Sequence, residues 1–132
     1  MKNLLTLFVL SGLLLVGMSA KAQGNMKFTT EVHDFGDIPE GPQVTHTFEF
    51  VNTGDQPLIV SNAAPSCGCT TPDWTKTPIP PKGKGFIKAT YNTEGRPGNF
   101  NKSITITSNG IETTKVIFIK GNVIPKTQNT VK

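Results

Sequence analysis

After Val16 the chain contains no long apolar run, no Gly-rich segment leading into a helical pattern, and no G-x-S-x-G sequence. The first absence leaves the remainder without a membrane-spanning helix, which needs roughly 20 apolar residues to cross the hydrocarbon. The second removes the phosphate cradle of nucleotide-binding loops. The third removes the nucleophile elbow of the α/β-hydrolases. Cysteine is limited to Cys67 and Cys69, histidine to His33 and His46, and tryptophan to Trp74. There is no internal repeat, and no low-complexity segment follows residue 22. Basic residues such as Lys76, Lys82, Lys84, Lys88, Arg96 and Lys102 are scattered, without the dense run or aromatic interleaving of a nucleic-acid surface. The formal net charge of +4 halves once Lys2 and Lys21 leave with the N-terminal segment. No nucleic-acid partner is expected.

That segment has the three parts of an export signal. Lys2 supplies the positive start, residues 4–16 are apolar apart from Thr6, Ser11 and Gly12, and Ala20-Lys21-Ala22 is an A-x-A cleavage site. The apolar stretch is too short for a retained anchor. No cysteine near position 22 offers a lipid attachment point. Residues 1–22 are therefore expected to be a cleaved signal peptide, residues 23–125 one folded domain without stable membrane insertion, and residues 126–132 a flexible polar tail. The expected location is the periplasm or the exterior.

In the domain the dominant signal is alternation. Val44, His46, Phe48 and Phe50 share one face of a segment whose other face carries Thr45, Thr47 and Glu49, the period-two pattern of a half-buried strand. Residues 26–32 alternate weakly, and residues 33–41 bring in Gly36, Pro39 and Gly41, which suit a kinked edge strand followed by a turn, the expected first strand. Residues 57–61 suggest a short third strand, and 86–92 another with Ile87, Ala89 and Tyr91 inward. Residues 102–108 and 112–123 flank Ser108-Asn109-Gly110, where Asn-Gly favours a type I′ hairpin. Val116, Ile117, Phe118 and Ile119 are contiguous, which places the last strand centrally or covers it on both faces. Between residues 64 and 85, Pro65, Pro72, Pro78, Pro80 and Pro81 argue against a regular ladder. Thirteen glycines and ten prolines suit short strands and frequent turns, and eight phenylalanines supply a core. Six or seven strands with no helix between them predict an all-β, immunoglobulin-like sandwich of about seven antiparallel strands.

Several motifs then occur in a fixed order: His33-Asp34-Phe35-Gly36, His46-Thr47-Phe48-Glu49-Phe50 with Asn52 and Gly54, and Cys67-Gly68-Cys69-Thr70. Ile79-Pro80-Pro81 with Gly85, Tyr91-Asn92, Gly98 with Phe100, Ser108-Asn109 and Gly121 follow. Over residues 28–123 this series resembles the exported bacterial family called domain of unknown function 1573. The resemblance implies an Ig-like fold similar to the major sperm protein and cilia-associated domains, which are binding and scaffolding modules, and it implies no established activity. One departure is visible: such domains often have Pro-Gly where this chain has Pro81-Lys82-Gly83.

Cys67 and Cys69 are the residues most open to a chemical role. In an oxidising compartment a disulfide is the ordinary outcome. Cα atoms two residues apart lie at most ~7 Å apart when extended, against the roughly 4.4 to 6.8 Å of a disulfide, so a bend at Gly68 permits the bond. Closing so short a loop is worth only about 1.6 kcal/mol on the chain-entropy formula. Two thiolates flanking Gly68 can alternatively chelate a soft ion such as copper(I) or act in thiol redox, although no helix N-terminus is at hand to lower a thiol pKa. Zinc would need His33 and His46 as further ligands. Trp74 is either a recognition aromatic or a cap on the core. Asp34 and Asp37, or Glu31 and Glu40, are paired carboxylates with no third group to complete an acid–base site.

These readings converge on an exported, non-catalytic module that binds a protein or a cell-envelope component. Its candidate binding residues are Cys67, Gly68, Cys69, Thr70 and Trp74, and the alternative is a soft-metal or thiol-redox protein built on Cys67 and Cys69. No cofactor is expected in the first case and copper in the second.

Overall fold

The computed structural model describes residues 23–126. The expected signal segment and the tail beyond Lys126 lie outside the described residues. Among the described residues eight strands form: β1 (Met26–Phe28), β2 (Val32–Pro39), β3 (Gln43–Asn52), β4 (Val60–Pro65), β5 (Thr70–Trp74), β6 (Lys84–Asn92), β7 (Gly98–Ser108) and β8 (Thr114–Ile124). They make two four-stranded sheets of order β1-β3-β6-β5 and β2-β8-β7-β4. Among the described residues no helix is long and apolar enough to cross a membrane.

The alternating segments become the two inner faces. Phe48 and Phe50 of β3 and Ile87, Ala89 and Tyr91 of β6 face Ile104 and Ile106 of β7 and Ile117, Ile119 and Val123 of β8. Aromatic contacts tie the layers together: Phe28 meets Phe50 edge-on at 5.4 Å, and Tyr91 stacks on Phe100 of the opposite sheet at 4.0 Å. Phe50 lies opposite Gly85 in the β3–β6 ladder. A Cβ at Gly85 would run into the Phe50 ring and into Ile79 Cδ1 at 2.6 Å, so the ring takes the space a side chain would need.

Four local expectations are corrected. The N-terminal segment is two strands, β1 pairing with β3 and β2 with β8 in the other sheet, and the β2–β8 pairing is parallel. Alternation orients side chains but does not encode the direction of a partner strand. The third strand lies later than residues 57–61, because Leu58 forms an isolated bridge with Ile79, both N–H···O=C distances being 2.8 Å. The turn after β7 is not a two-residue type I′ hairpin, since neither Asn109 nor Gly110 has a positive φ. Instead Asn109 Oδ1 accepts from Ile59 N–H at 2.8 Å, and Gly110 is packed against Leu58 Cδ1 and the Gly24 carbonyl.

The prolines, fourth, do not keep residues 64–85 free of a regular ladder. Pro72 sits inside a regular strand, β5, paired with β6. Asn92 N–H donates to the Cys69 carbonyl and Thr75 N–H to the Phe86 carbonyl, so residues 69, 71, 73 and 75 bond to β6 and residues 70, 72 and 74 face away. Pro72 thus lacks a donor where no ladder bond is made. The two neighbouring outward donors are used locally, Thr70 N–H on the Cys67 carbonyl and Trp74 N–H on Asp73 Oδ1, which blunts this edge against strand addition.

Lys82, at the departure from the family pattern, has φ +65° and is the sole non-glycine with positive φ among the described residues. Gly83 N–H donates to the Pro80 carbonyl at 2.8 Å, closing a tight turn with Pro81 and Lys82 at its centre.

Candidate functional site

The Cys-Gly-Cys-Thr element crosses from one sheet to the other at the end of β4. Ser66 N–H donates to the Ser103 carbonyl at 2.9 Å, holding the chain on β7, and Asn92 N–H donates to the Cys69 carbonyl at 2.9 Å, handing it to β6. Between these anchors the bend at Gly68 brings the sulfurs of Cys67 and Cys69 into contact, with a Cα separation of 5.3 Å. Cys69 N–H points at Cys67 Sγ at 3.2 Å. The Thr70 hydroxyl lies 4.0 Å from Cys67 Sγ and 3.8 Å from Cys69 Sγ. Cys69 and Thr70 are buried, whereas Gly68 is exposed with nothing within 4 Å of a Cβ placed on it. Little of this element other than Gly68 and part of Cys67 is offered to a partner.

Trp74 does not join the element. It is four residues along β5 from Thr70, about 13 Å at strand rise, and packs against the core with Lys76 Nζ 3.0 Å from its ring centroid. The histidines are also elsewhere. His33 on β2 and His46 on β3 stack ring on ring at 3.6 Å and 5°, at the side of the sandwich opposite β4 and β5. The structure therefore brings Cys67, Gly68, Cys69 and Thr70 together and does not bring His33 or His46 to them. Burial, followed by the neighbouring His33 ring, lowers the His46 pKa. Glu40 accepts from Lys126 N–H and Gly95 N–H, and these hydrogen bonds, that of Lys126 first, lower its pKa.

The outer face of the β2-β8-β7-β4 sheet carries a second surface that the strand pattern did not single out. Val32, Val116 and Phe118 are exposed there at 48, 38 and 38 %. Val32 pairs with Phe118, and Phe118 in turn with Ser103. Farther along the same face lies a cleft of about 370 Å³ bordered by Asp34, Asp37, Asn99, Asn101, Lys120 and Asn122. The ladders arrange these six in two rows, Asp34-Lys120-Asn101 and Asp37-Asn122-Asn99. β2 bulges between the rows, with Gly36 at φ +68° and its N–H donating to Asp34 Oδ1 at 2.8 Å. A Cβ at Gly121 would meet the Gly36 carbonyl at 3.0 Å and Phe100 Cε1 at 2.9 Å, so the bulge can fold in because residue 121 is glycine. The signal was present in the sequence as polar residues at alternate positions, Asn99 and Asn101, then Lys120 and Asn122.

Solved structures share the fold. A protein of unknown function from Porphyromonas gingivalis W83 is similar with a TM-score of 0.68 and 20 % identity, over 80 % of this chain and 50 % of that one; the chain thus spans about half the length of that relative. The ASH / PapD-like domain of human CEP192 is similar with a TM-score of 0.61 and 12 % identity, over 79 % of this chain and 88 % of that one. The YadV chaperone is similar with a TM-score of 0.53 and 15 % identity, over 76 % of this chain and 52 % of that one. Among curated proteins none matches the chain. The family model described as Protein of unknown function (DUF1573) matches residues 26–123, which span the sandwich from β1 through Val123 of β8, and the chain belongs to that family.

Proposed function

We propose that the protein is an exported, non-catalytic binding or scaffolding module that works in the periplasm or outside the cell and contacts a protein or envelope component. The observation that supports binding is the cluster of Val32, Val116 and Phe118, three apolar side chains exposed together on one sheet face. It adjoins the open side of β2. Phe118 N–H donates to the Glu31 carbonyl, so Glu31 and His33 bond to β8 while the backbone groups of Val32 and Asp34 face outward. This edge suits recognition better than the Cys-Gly-Cys turn, whose second cysteine and threonine are buried. The export part of the reading is supported by the signal pattern of residues 1–22.

The test is expression of the full chain in a Gram-negative host with a photo-crosslinking residue at position 118, and in parallel at position 49 on the outer face of the other sheet. The expected result is recovery from the periplasm or medium with Gln23 as the first residue, and crosslinks to an envelope component from position 118 only. Retention in the cytoplasm with residues 1–22 attached, or equal crosslinking from both positions, overturns the reading.

The contact between the two sulfurs beside the Thr70 hydroxyl supports a second reading, thiol redox or copper(I) binding. Native mass spectrometry of the reduced chain with copper(I) separates the two. One bound ion, lost in Cys67→Ser, favours the metal; no bound ion removes that option.

A further inference from the structure

The cleft between β2, β8 and β7 is a built feature with a chemical character of its own. Its two rows sit two residues apart along β7 and β8, about 7 Å, and extend across three strands, about 10 Å, an area that takes one to two pyranose rings. Three of the six bordering side chains are carboxamides, each offering both donor and acceptor atoms. Asp34 keeps one carboxylate oxygen beyond the Oδ1 used by Gly36 N–H, and Asp37 keeps one beyond the Oδ1 that accepts from Asn122 Nδ2 at 3.2 Å. Lys120 stands between Asp34 and Asn101 in its row, and among the described residues no carboxylate forms an ion pair with it.

Charge and ligand count narrow what this border can hold. Two carboxylates against one ammonium disfavour phosphates, acidic peptides and nucleic acid. Among the described residues no group of three His, Cys, Asp or Glu is placed to hold a metal ion. A hydroxyl, which both donates and accepts, matches carboxamides, carboxylate oxygens and an ammonium alike. An aromatic ring lies one step beyond: Phe118 is two residues from Lys120 on the same face of β8, about 7 Å away, and is 38 % exposed. A ring exposed to that extent can take the C–H side of a neighbouring sugar ring.

We infer that this cleft is a binding site for a neutral oligosaccharide, with one sugar held by the amide and carboxylate rows and the next laid against Phe118. The inference rests on the reading of the protein as an exported binding module and assigns that module its ligand class.

The test is a printed glycan array spanning neutral hexoses, pentoses and N-acetylhexosamines together with uronic-acid polymers. It is probed with the full chain recovered after export, and calorimetry follows on the best binder. Binding to at least one neutral glycan is expected, weakened about tenfold or more in each of Asn101→Ala, Asn122→Ala and Phe118→Ala, as loss of hydrogen bonds or of a stacking face requires. Lys88→Ala, on the outer face of the other sheet, should bind as wild type does. Thermal melts of the variants are compared so that weakening is scored only where the midpoint is retained, and Asn101→Ser serves as a gentler second variant. No neutral glycan bound, binding confined to uronic acids, or binding indifferent to all three variants overturns the assignment. Crosslinking of a protein from position 118 with an empty array rejects the glycan and leaves the binding-module reading standing.

Discussion

The side-chain amide of Asn52, at the end of β3, donates to the carbonyl of Ile79 at 2.9 Å, joining positions 27 residues apart inside the core. Its Nδ2 also donates to the Gln56 carbonyl at 2.7 Å, and its Oδ1 accepts from Asn25 and Gly54 N–H at 3.0 Å each. Every donor and acceptor of a fully buried polar side chain is thereby used, and the segments before β1, after β3 and before β6 are fastened to one another. Asn52→Leu should strand three backbone groups, the Ile79 carbonyl keeping its bond from Leu58 N–H, and lower stability by about 3 to 5 kcal/mol. Asn52→Asp should be nearly as damaging at pH 7, because a carboxylate oxygen would then face two carbonyls, and less so near pH 4. Urea unfolding at both pH values checks this, and a wild-type midpoint in either variant contradicts the fastening role.

Lys82 occupies a left-handed conformation that glycine adopts without steric cost. Lys82→Gly should raise stability by a few tenths to about 1 kcal/mol, the relief of strain exceeding the added freedom of the unfolded chain. Lys82→Val should lower it, since a β-branched residue is least tolerant of positive φ. Thermal midpoints of the two variants should therefore move in opposite directions, and a shared direction refutes the account.

Stability should fall with acid in the histidine range. His46 has a pKa below its ordinary 6.5, so the unfolded chain binds more protons than the folded one as pH drops. Its contribution is complete above 6.5 and is lost as pH falls from there toward the folded value. Glu40, lowered from 4.5, acts the same way in a more acidic window. Differential scanning calorimetry between pH 7.5 and 5.5 should show a declining midpoint, and His46→Leu should flatten that decline. A decline of the same slope in the variant would place its origin elsewhere.

Reduction of the Cys67–Cys69 pair should cost little. On the chain-entropy formula, closing a three-residue loop supplies about 1.6 kcal/mol, while Cys69 remains packed in the core with or without the bond. Unfolding free energies from urea titrations with and without reductant should differ by no more than that amount, and non-reducing peptide mapping should show whether the pair is bonded in the purified protein. A loss of several kcal/mol on reduction would mean that the pair also organises the β4–β5 crossing.

The sandwich was legible in the sequence because one-sided burial imposes a two-residue period. Val44, His46, Phe48 and Phe50, or Ile104 and Ile106, announce a covered face whatever lies opposite. The Cys-Gly-Cys-Thr bend was legible only as an option, since a bend at Gly68 permits the bond and an extended chain does not. Pairing direction and strand ends were not. β2 runs parallel to β8 through contacts made across some 85 residues, and Pro72 enters β5 because the register turns its missing donor outward.

By itself, then, the amino-acid order determined the all-β class, the inward residues and the one close pair of cysteines, all of which depend on neighbours within a few residues. Tertiary structure alone decided that His33 stacks on His46 far from those cysteines, that Asn52 fastens three segments, and that Asp34, Asp37, Asn99, Asn101, Lys120 and Asn122 surround one cleft. Those six come from three strands, and only hydrogen-bonded register across a sheet puts such distant residues side by side.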